Sequence, residues 1–150
     1  MLGPLNTDKK ETILNYCEER FGINRTIFDN YNWYIGSKNR IYIGPEEIER
    51  IKPESIGLCI FRLDKTPKPT TNFIQLFGKR ITKNYISLNK KNTLDFCKGF
   101  DLEIETNIEP GFVSIKYENI SLGCGHWNGT ILKNIAPQTM VRHEGGRVCI

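Results

Sequence analysis

Apolar residues repeat along the chain at two spacings, one typical of helices and one typical of strands. These spacings predict a mixture of helices and strands. Residues 7–21 repeat apolar side chains every three or four positions, as in a helix with one buried face. Asp8 is placed to cap this helix, Glu11 completes a capping box, and Gly22 ends it. The pattern therefore predicts an amphipathic first helix.

The rest of the first half is predicted to contain two short helices and three strands. A proline or an asparagine marks the start of each helix, and alternating or wholly apolar runs mark the strands. These elements are a helix capped by Asn24, a hairpin with strands 33–35 and 40–43, a helix starting at Pro45, and a buried strand at 56–63.

Residues 64–72 contain two prolines and no periodicity, so they are the best candidate for a domain boundary. Beyond them, two helices and a series of short strands are predicted. The pair Asn128-Gly129 predicts a type I′ turn between the last two strands. The helices end at Gly78 and Gly99, and the strands are 84–89, 101–106, 111–117, 120–127 and 130–134.

Together these elements predict an α+β protein made of two modules. Residues 1–66 are predicted to form a small mixed α/β module. Residues 67–150 are predicted to form a small β pseudo-barrel with short helices, because short strands joined by tight turns are typical of such barrels.

Basic residues are concentrated in one segment of the chain. The 150 residues have a formal net charge of +4, but residues 67–100 hold seven basic residues and one acidic residue, a net charge of +6. Residues 1–66 are neutral, and residues 101–150 have a net charge of −2. A confined excess of this kind is typical of a surface that faces a polyanion. A solvated lysine-rich face is the alternative interpretation.

The five cysteines lie at least 25 residues apart, which predicts buried unpaired thiols rather than a disulfide framework or a zinc site. No apolar run approaches the roughly 20 residues that span a membrane. The first residues also lack the features of a signal peptide. A cytoplasmic location is therefore expected.

The stretch SLGCGHWNGTILKN, residues 121–134, holds the residues that most suggest catalysis or metal binding. Its glycines lack the third glycine and the following helix of a dinucleotide-binding loop. Cys124 and His126 share one strand face, but two ligands do not complete a metal site. A nucleophilic pair such as Cys59 with His126 stays open, although no nucleophile motif supports it. We interpret the stretch as the last hairpin of the barrel and predict no catalytic residue, metal or cofactor.

Polar side chains of the basic segment are the candidates for RNA binding. Lysine and arginine neutralise phosphates, asparagine can hydrogen-bond to exposed bases, and glycine lets the backbone approach a ligand closely. The predicted RNA-binding residues are Lys79, Arg80, Lys83, Asn84, Lys90, Lys91, Lys98, Gly99 and, outside that segment, Lys133.

Several motifs within residues 67–138 resemble those of the PUA-type RNA-binding domain. They are K-P-T-T, Q-L-F-G, T-K-N, G-x-D-[IL], G-x-V-x-[VI]-x-Y, L-G-x-G and L-K-N-x-x-P. The version they resemble more closely stands at the C-terminus of Sun/Nop-family RNA cytosine-5 methyltransferases and in related small archaeal proteins. The residues before this region are similar, more loosely, to the small module that precedes the domain in those proteins.

The resemblance implies a pseudo-barrel fold and RNA binding. In PUA domains RNA contacts the first helix and the glycine-containing loop after it, which here implies residues 90–99 with Phe100 and Asp101. The methyltransferases also carry a Rossmann-type catalytic domain with S-adenosylmethionine motifs and with catalytic cysteines after proline or threonine. No cysteine of this sequence follows either residue. The resemblance therefore implies RNA binding and does not imply methyl transfer.

The predicted function is binding of structured tRNA or rRNA, without catalysis, in RNA modification or ribosome biogenesis. Two alternatives stay open. The first is an accessory subunit that docks on a separate RNA-modifying enzyme through the N-terminal module. The second is a small-molecule enzyme with an unrecognised site near Cys59 or Cys124.

Overall fold

The computed structural model describes residues 3–45 and 58–135, and its elements confirm the predicted α+β class. None of the described helices is long and apolar enough to cross a membrane. The α-helices in these ranges are α1 (Thr7–Phe21), α2 (Thr71–Phe77) and α3 (Lys90–Cys97). The strands are β1 (Gly3–Pro4), β2 (Tyr31–Ile35), β3 (Arg40–Pro45), β4 (Leu58–Leu63), β5 (Pro67–Pro69), β6 (Tyr85–Ser87), β7 (Leu102–Glu103), β8 (Gly111–Tyr117), β9 (Ile120–Trp127) and β10 (Ile131–Asn134).

The ends of the first helix differ in part from the prediction. Asn6, and not Asp8, caps α1: its side-chain oxygen accepts a hydrogen bond from the backbone N of Lys9 at 2.8 Å. Asn6 has the extended backbone that a capping residue needs, whereas Asp8 already lies in the first turn. Gly22 ends the helix with a φ of 63°, as predicted.

One further local prediction falls outside the described residues, and another is wrong. Pro45 is the last residue of strand β3, and the helix predicted to start there falls on residues 46–57, which lie outside the described ones. In the last hairpin only Gly129 of the Asn128-Gly129 pair has a positive φ, so the turn is not type I′. The side-chain oxygen of Asn128 instead accepts hydrogen bonds from the backbone N atoms of Thr130 and Ile131.

The first sheet has the strand order β1-β2-β3-β4-β5, and every neighbouring pair is antiparallel. Strands β2 and β3 form the predicted hairpin. Residues 64–72, the predicted domain boundary, contain strand β5 of this sheet. Lys68 on β5 pairs with Arg62 on β4. α1 packs against this sheet through Tyr16, whose ring lies edge-on to Phe61 at a centroid distance of 6.0 Å.

The second sheet has the strand order β6-β8-β9-β10-β7. β6 runs parallel to β8, and the other neighbouring pairs are antiparallel. Strand β7 retains two residues of the predicted strand 101–106. The curled sheet, with α3 beside it, is consistent with the predicted pseudo-barrel.

Two clusters of buried apolar side chains form the core. The first lies between α1, the first sheet and α2, where the ring of Phe73 lies 4.7 Å from Phe61 and that of Phe77 lies 4.8 Å from Phe28. The second cluster joins α3 to the second sheet and includes Phe96. The division at residue 66 stays a prediction, and the first cluster takes side chains from both sides of that position.

Helix α2 also contacts the second sheet, so it connects the two sheets. The backbone N of Cys124 donates to the hydroxyl of Thr71 at 3.3 Å, and the side chain of Gln75 donates to the carbonyl oxygen of Leu122 at 3.1 Å. A Cβ atom at Gly78 would lie 2.7 Å from the Cβ of Ser121. The glycine therefore permits the close approach of the end of α2 to β9.

The end of α1 forms a second connection. Arg20 donates from Nε to the carbonyl oxygen of Phe112 at 2.8 Å and from Nη2 to that of Glu109 at 3.0 Å. The side chain of Asn84 donates to the carbonyl oxygen of Arg20. Both helices of the first core thus hydrogen-bond to the second sheet or the loops beside it.

The close approach at Gly78 can be tested by adding one methyl group. We expect Gly78→Ala to lower the free energy of unfolding by about 1–3 kcal/mol, because Ser121 has to move. Gly3→Ala is the matched control, since a Cβ there meets no atom within 4 Å. Urea denaturation measures both. A Gly78→Ala protein as stable as the control would contradict the packing described.

Candidate nucleic-acid interface

The C-terminal end of α3 presents an exposed loop built around a glycine. Asn89 caps the start of the helix by accepting from the backbone N of Asn92 at 2.7 Å. At the other end, Gly99 has a φ of 95°, in the left-handed region, and its N donates to the carbonyl oxygen of Phe96 at 3.0 Å. This turn leaves the side chain of Phe100 57% exposed, beside the exposed Lys98.

Strand β10 fixes this loop from the side. The side chain of Asn134 donates to the carbonyl oxygen of Phe96, and its backbone N donates to the carboxylate of Asp101 at 2.9 Å. Side chains alternate along a strand, so Lys133 points to the opposite face from Asn134. The structure therefore brings Lys98, Gly99 and Phe100 together and directs Lys133 away from them.

The remaining predicted lysines and Arg80 are distributed over other parts of the surface. Lys90 and Lys91 are exposed in the first turn of α3. The helix has eight residues, so its two ends are about 12 Å apart. Lys79 and Arg80 are exposed in the 3-10 turn after α2.

Lys83 and Asn84 lie in a pocket between α1 and the second module. The pocket has a volume of about 440 Å³ and is also lined by Arg20, Glu19 and Glu109. Because two glutamates face two basic side chains there, the pocket has no excess of positive charge. The side-chain amide of Asn84 already holds the end of α1, so its contact is structural.

Lys133 lies in a larger groove between the two sheets, which we call the inter-sheet groove. It has a volume of about 690 Å³. Its lining residues come from β4, β5, the start of α2 and one face of the second sheet: Arg62, Thr66, Lys68, Pro69, Thr70, Thr71, Phe112, His126, Lys133 and Ile135. Of these residues, only Lys133 is predicted from the sequence to bind RNA.

The second-sheet wall of the groove is a row of side chains on three neighbouring strands. Phe112 on β8 and Lys133 on β10 both pair with His126 on β9. The rings of Phe112 and His126 meet edge to face, with centroids 5.0 Å apart. Partial burial, and then the charges of Lys133 and Arg20, lower the pKa of His126. This shift favours the neutral form of its imidazole.

Among the residues that the structure describes, burial disfavours the thiolate form of the free cysteines. Cys17 and Cys124 are fully buried, and burial raises the pKa of both thiols well above the usual range. Burial also raises the pKa of the half-buried Cys59. Cys97 is disulfide-bonded, so the prediction of an unpaired thiol is wrong there. Among residues 3–45 and 58–135, no cluster of three or more His, Cys, Asp or Glu side chains is placed to hold a metal ion.

Comparison with known proteins defines the class of the second module. Residues 83–142 match the family described as the methyltransferase RsmF PUA domain. The match overlaps most of the region, 67–138, whose motifs resemble that domain. Residues 83–142 therefore match a PUA-type domain, and the resemblance drawn from the motifs is confirmed.

Two curated relatives extend the similarity over nearly the whole chain. Ribosomal RNA small subunit methyltransferase F of Aeromonas hydrophila subsp. hydrophila is 26% identical over 144 residues, and its counterpart in Aeromonas salmonicida is 24% identical over 145 residues. Each alignment covers 93% of this chain, so the similarity includes the first module. The chain spans 29% of the length of each relative.

The burial of the thiols gives a test of the nucleophile hypothesis. We expect iodoacetamide at pH 7.5 to alkylate Cys59 in the folded protein well before Cys124 or Cys17, because the latter two thiols are fully buried. Mass spectrometry of the digested protein measures each site, and labelling in guanidinium chloride is the control. Rapid alkylation of Cys124 in the folded protein would support a reactive thiolate and contradict its burial.

Proposed function

We propose that this chain binds structured RNA through its PUA-type domain and has no catalytic activity of its own. The observation that carries the proposal is the match of residues 83–142 to a PUA domain. The same region contains the exposed turn at Gly99 after α3. It also contains most of the basic side chains of residues 67–100, the segment with a net charge of +6.

The loop after α3 provides the chemistry for contact with RNA. Gly99 lets the backbone approach a phosphate or a base without a Cβ in the way. The exposed ring of Phe100 is available for stacking on an unpaired base, and Lys98 is available to neutralise a phosphate. This loop is therefore proposed as the principal contact with RNA.

The more distant lysines are proposed to act through charge. Lys90 and Lys91 lie at the far end of α3, and Lys79 and Arg80 follow α2. Exposed cations at such distances neutralise phosphates and position the RNA without reading its bases. Lys83 and Asn84 contribute less in this proposal, since Glu19 and Glu109 share their pocket.

The names of the relatives favour rRNA of the small subunit over tRNA as the ligand. Both relatives are named ribosomal RNA small subunit methyltransferase F, and the chain spans 29% of their length. We propose accordingly that the chain positions rRNA for modification, acting with a methyltransferase domain. The accessory-subunit hypothesis is one form of this second proposal, with the catalytic domain on a separate chain.

Two lysine pairs provide a matched test of RNA binding. We expect Lys90→Ala with Lys91→Ala to weaken binding of a small-subunit rRNA transcript about tenfold at moderate salt, because two phosphate contacts are lost. The slope of log affinity against log salt concentration should become shallower by about 2. Filter binding over a salt series measures both quantities.

The control for this test is Lys9→Ala with Lys10→Ala, which removes the corresponding charges from the first turn of α1. We expect the control to bind like the unmodified chain. Equal losses in both variants would show non-specific attraction and contradict the assigned surface. A tRNA transcript measured in parallel decides between the two RNA classes.

A further inference from the structure

The inter-sheet groove combines positive charge with a wall of aromatic side chains. Arg62 and Lys68 lie directly opposite each other on β4 and β5. Like charges in this position destabilise a sheet. Asp64 offsets them in part, with its carboxylate 3.1 Å from Nζ of Lys68 and 4.0 Å from Nε of Arg62. With Lys133 on the facing wall, the groove has a net charge of +2.

The facing wall has the properties of a stacking surface for a flat ring. Phe112 and His126 meet edge to face, and Lys133 completes their row across the sheet. The lowered pKa of His126 favours the neutral imidazole, which offers one hydrogen-bond donor and one acceptor. Aromatic rings stack on any base, and such donors and acceptors match the edges of an unpaired base.

The groove has a fixed shape because hydrogen bonds tie α1 and α2 to its second-sheet wall. Arg20 of α1 donates to the carbonyl oxygen of Phe112, and Thr71 of α2 accepts from the backbone N of Cys124, which lies two residues before His126. A volume of about 690 Å³ falls in the range of pockets, roughly 300–1,000 Å³, that bind small ligands. A groove of that size accepts a single nucleotide.

We propose that the inter-sheet groove binds one unpaired nucleotide of the RNA, with its base against Phe112 and His126 and its phosphates on Arg62, Lys68 and Lys133. This inference rests on the proposed function, and it adds a second RNA site, formed by both sheets, to the loop after α3. A duplex keeps its bases stacked, so the groove selects a bulge, a loop or a single-stranded flank.

Histidine NMR tests the site directly, because the chain contains only two histidines. The probe is the single-stranded RNA hexaadenylate, and inorganic phosphate at equal concentration is the reference. We expect the ring signals of His126, assigned with His143→Gln, to shift in a saturable manner with hexaadenylate. Phosphate alone should produce a much smaller shift, since it provides no base to stack on the rings.

Variants separate stacking from packing and charge. We expect His126→Ala to weaken hexaadenylate binding by about five- to a hundredfold, and His126→Phe to retain most of the affinity, because the lost interaction is stacking. Phe112→Leu keeps an apolar side chain in the core but removes the aromatic ring, so it should still weaken binding. Arg62→Ala with Lys68→Ala should weaken it as well, whereas the Lys9→Ala, Lys10→Ala control should not.

Filter binding of a small-subunit rRNA transcript in the same buffer distinguishes this inference from the function it rests on. If the transcript binds but hexaadenylate leaves the His126 signals unchanged, and groove variants bind the transcript normally, the nucleotide site is wrong and the proposed function stands. If neither the small-subunit rRNA nor a tRNA transcript binds, both proposals are wrong. Binding of the transcript with losses in the groove variants supports both.

Discussion

The structure depends on the packing of one short helix between two sheets. α2 buries Phe73, Ile74 and Phe77 in the first core, and on its other side Thr71 and Gln75 hydrogen-bond to β9 of the second sheet. The helix can approach β9 this closely because Gly78 and Gly123 carry no Cβ atom at the contact. At Gly123 a Cβ would lie 3.0 Å from the hydroxyl of Thr71. The helix therefore fixes the two sheets as neighbours.

That arrangement determines which surfaces are available for RNA. The loop after α3 lies beside the second sheet alone, and it presents Gly99 and the exposed Phe100 beside a lysine. The inter-sheet groove exists only because the two sheets are held together: Arg62 and Lys68 come from the first sheet, and His126 comes from the second. In the proposed account the two sheets with their helices act as one RNA-binding unit.

Much of the fold was predictable from local pattern. The periodicity of residues 7–21 and the alternation of residues 111–117 correspond closely to α1 and β8, because both elements bury one regular face. The cap at Asn6 was missed, since Asp8 with Glu11 is a stronger pattern in the sequence. The turn at Gly129 was assigned the wrong type, because the side chain of Asn128 can replace a backbone hydrogen bond and no periodicity reports this.

The candidate site was predictable only where it is local. Lys98 and Gly99 are candidates because of charge and the glycine signal, and Phe100 follows them in the loop that the resemblance to PUA domains implies. The groove joins residues 62–71 to Phe112, His126 and Lys133, and no signal in a single sequence links such distant positions. His126 was singled out first as a metal or catalytic candidate. The strand register places His126 between Phe112 and Lys133. This position supports its proposed role in stacking on a base.

The central claim is that both sheets and their helices form one RNA-binding unit, and hydrogen–deuterium exchange tests it most directly. Exchange would be measured by mass spectrometry with and without a saturating small-subunit rRNA transcript. The account predicts simultaneous protection of residues 98–101, after α3, and of residues 62–70 in the first sheet. Protection confined to residues 98–101, with residues 62–70 exchanging as in the free protein, would contradict it.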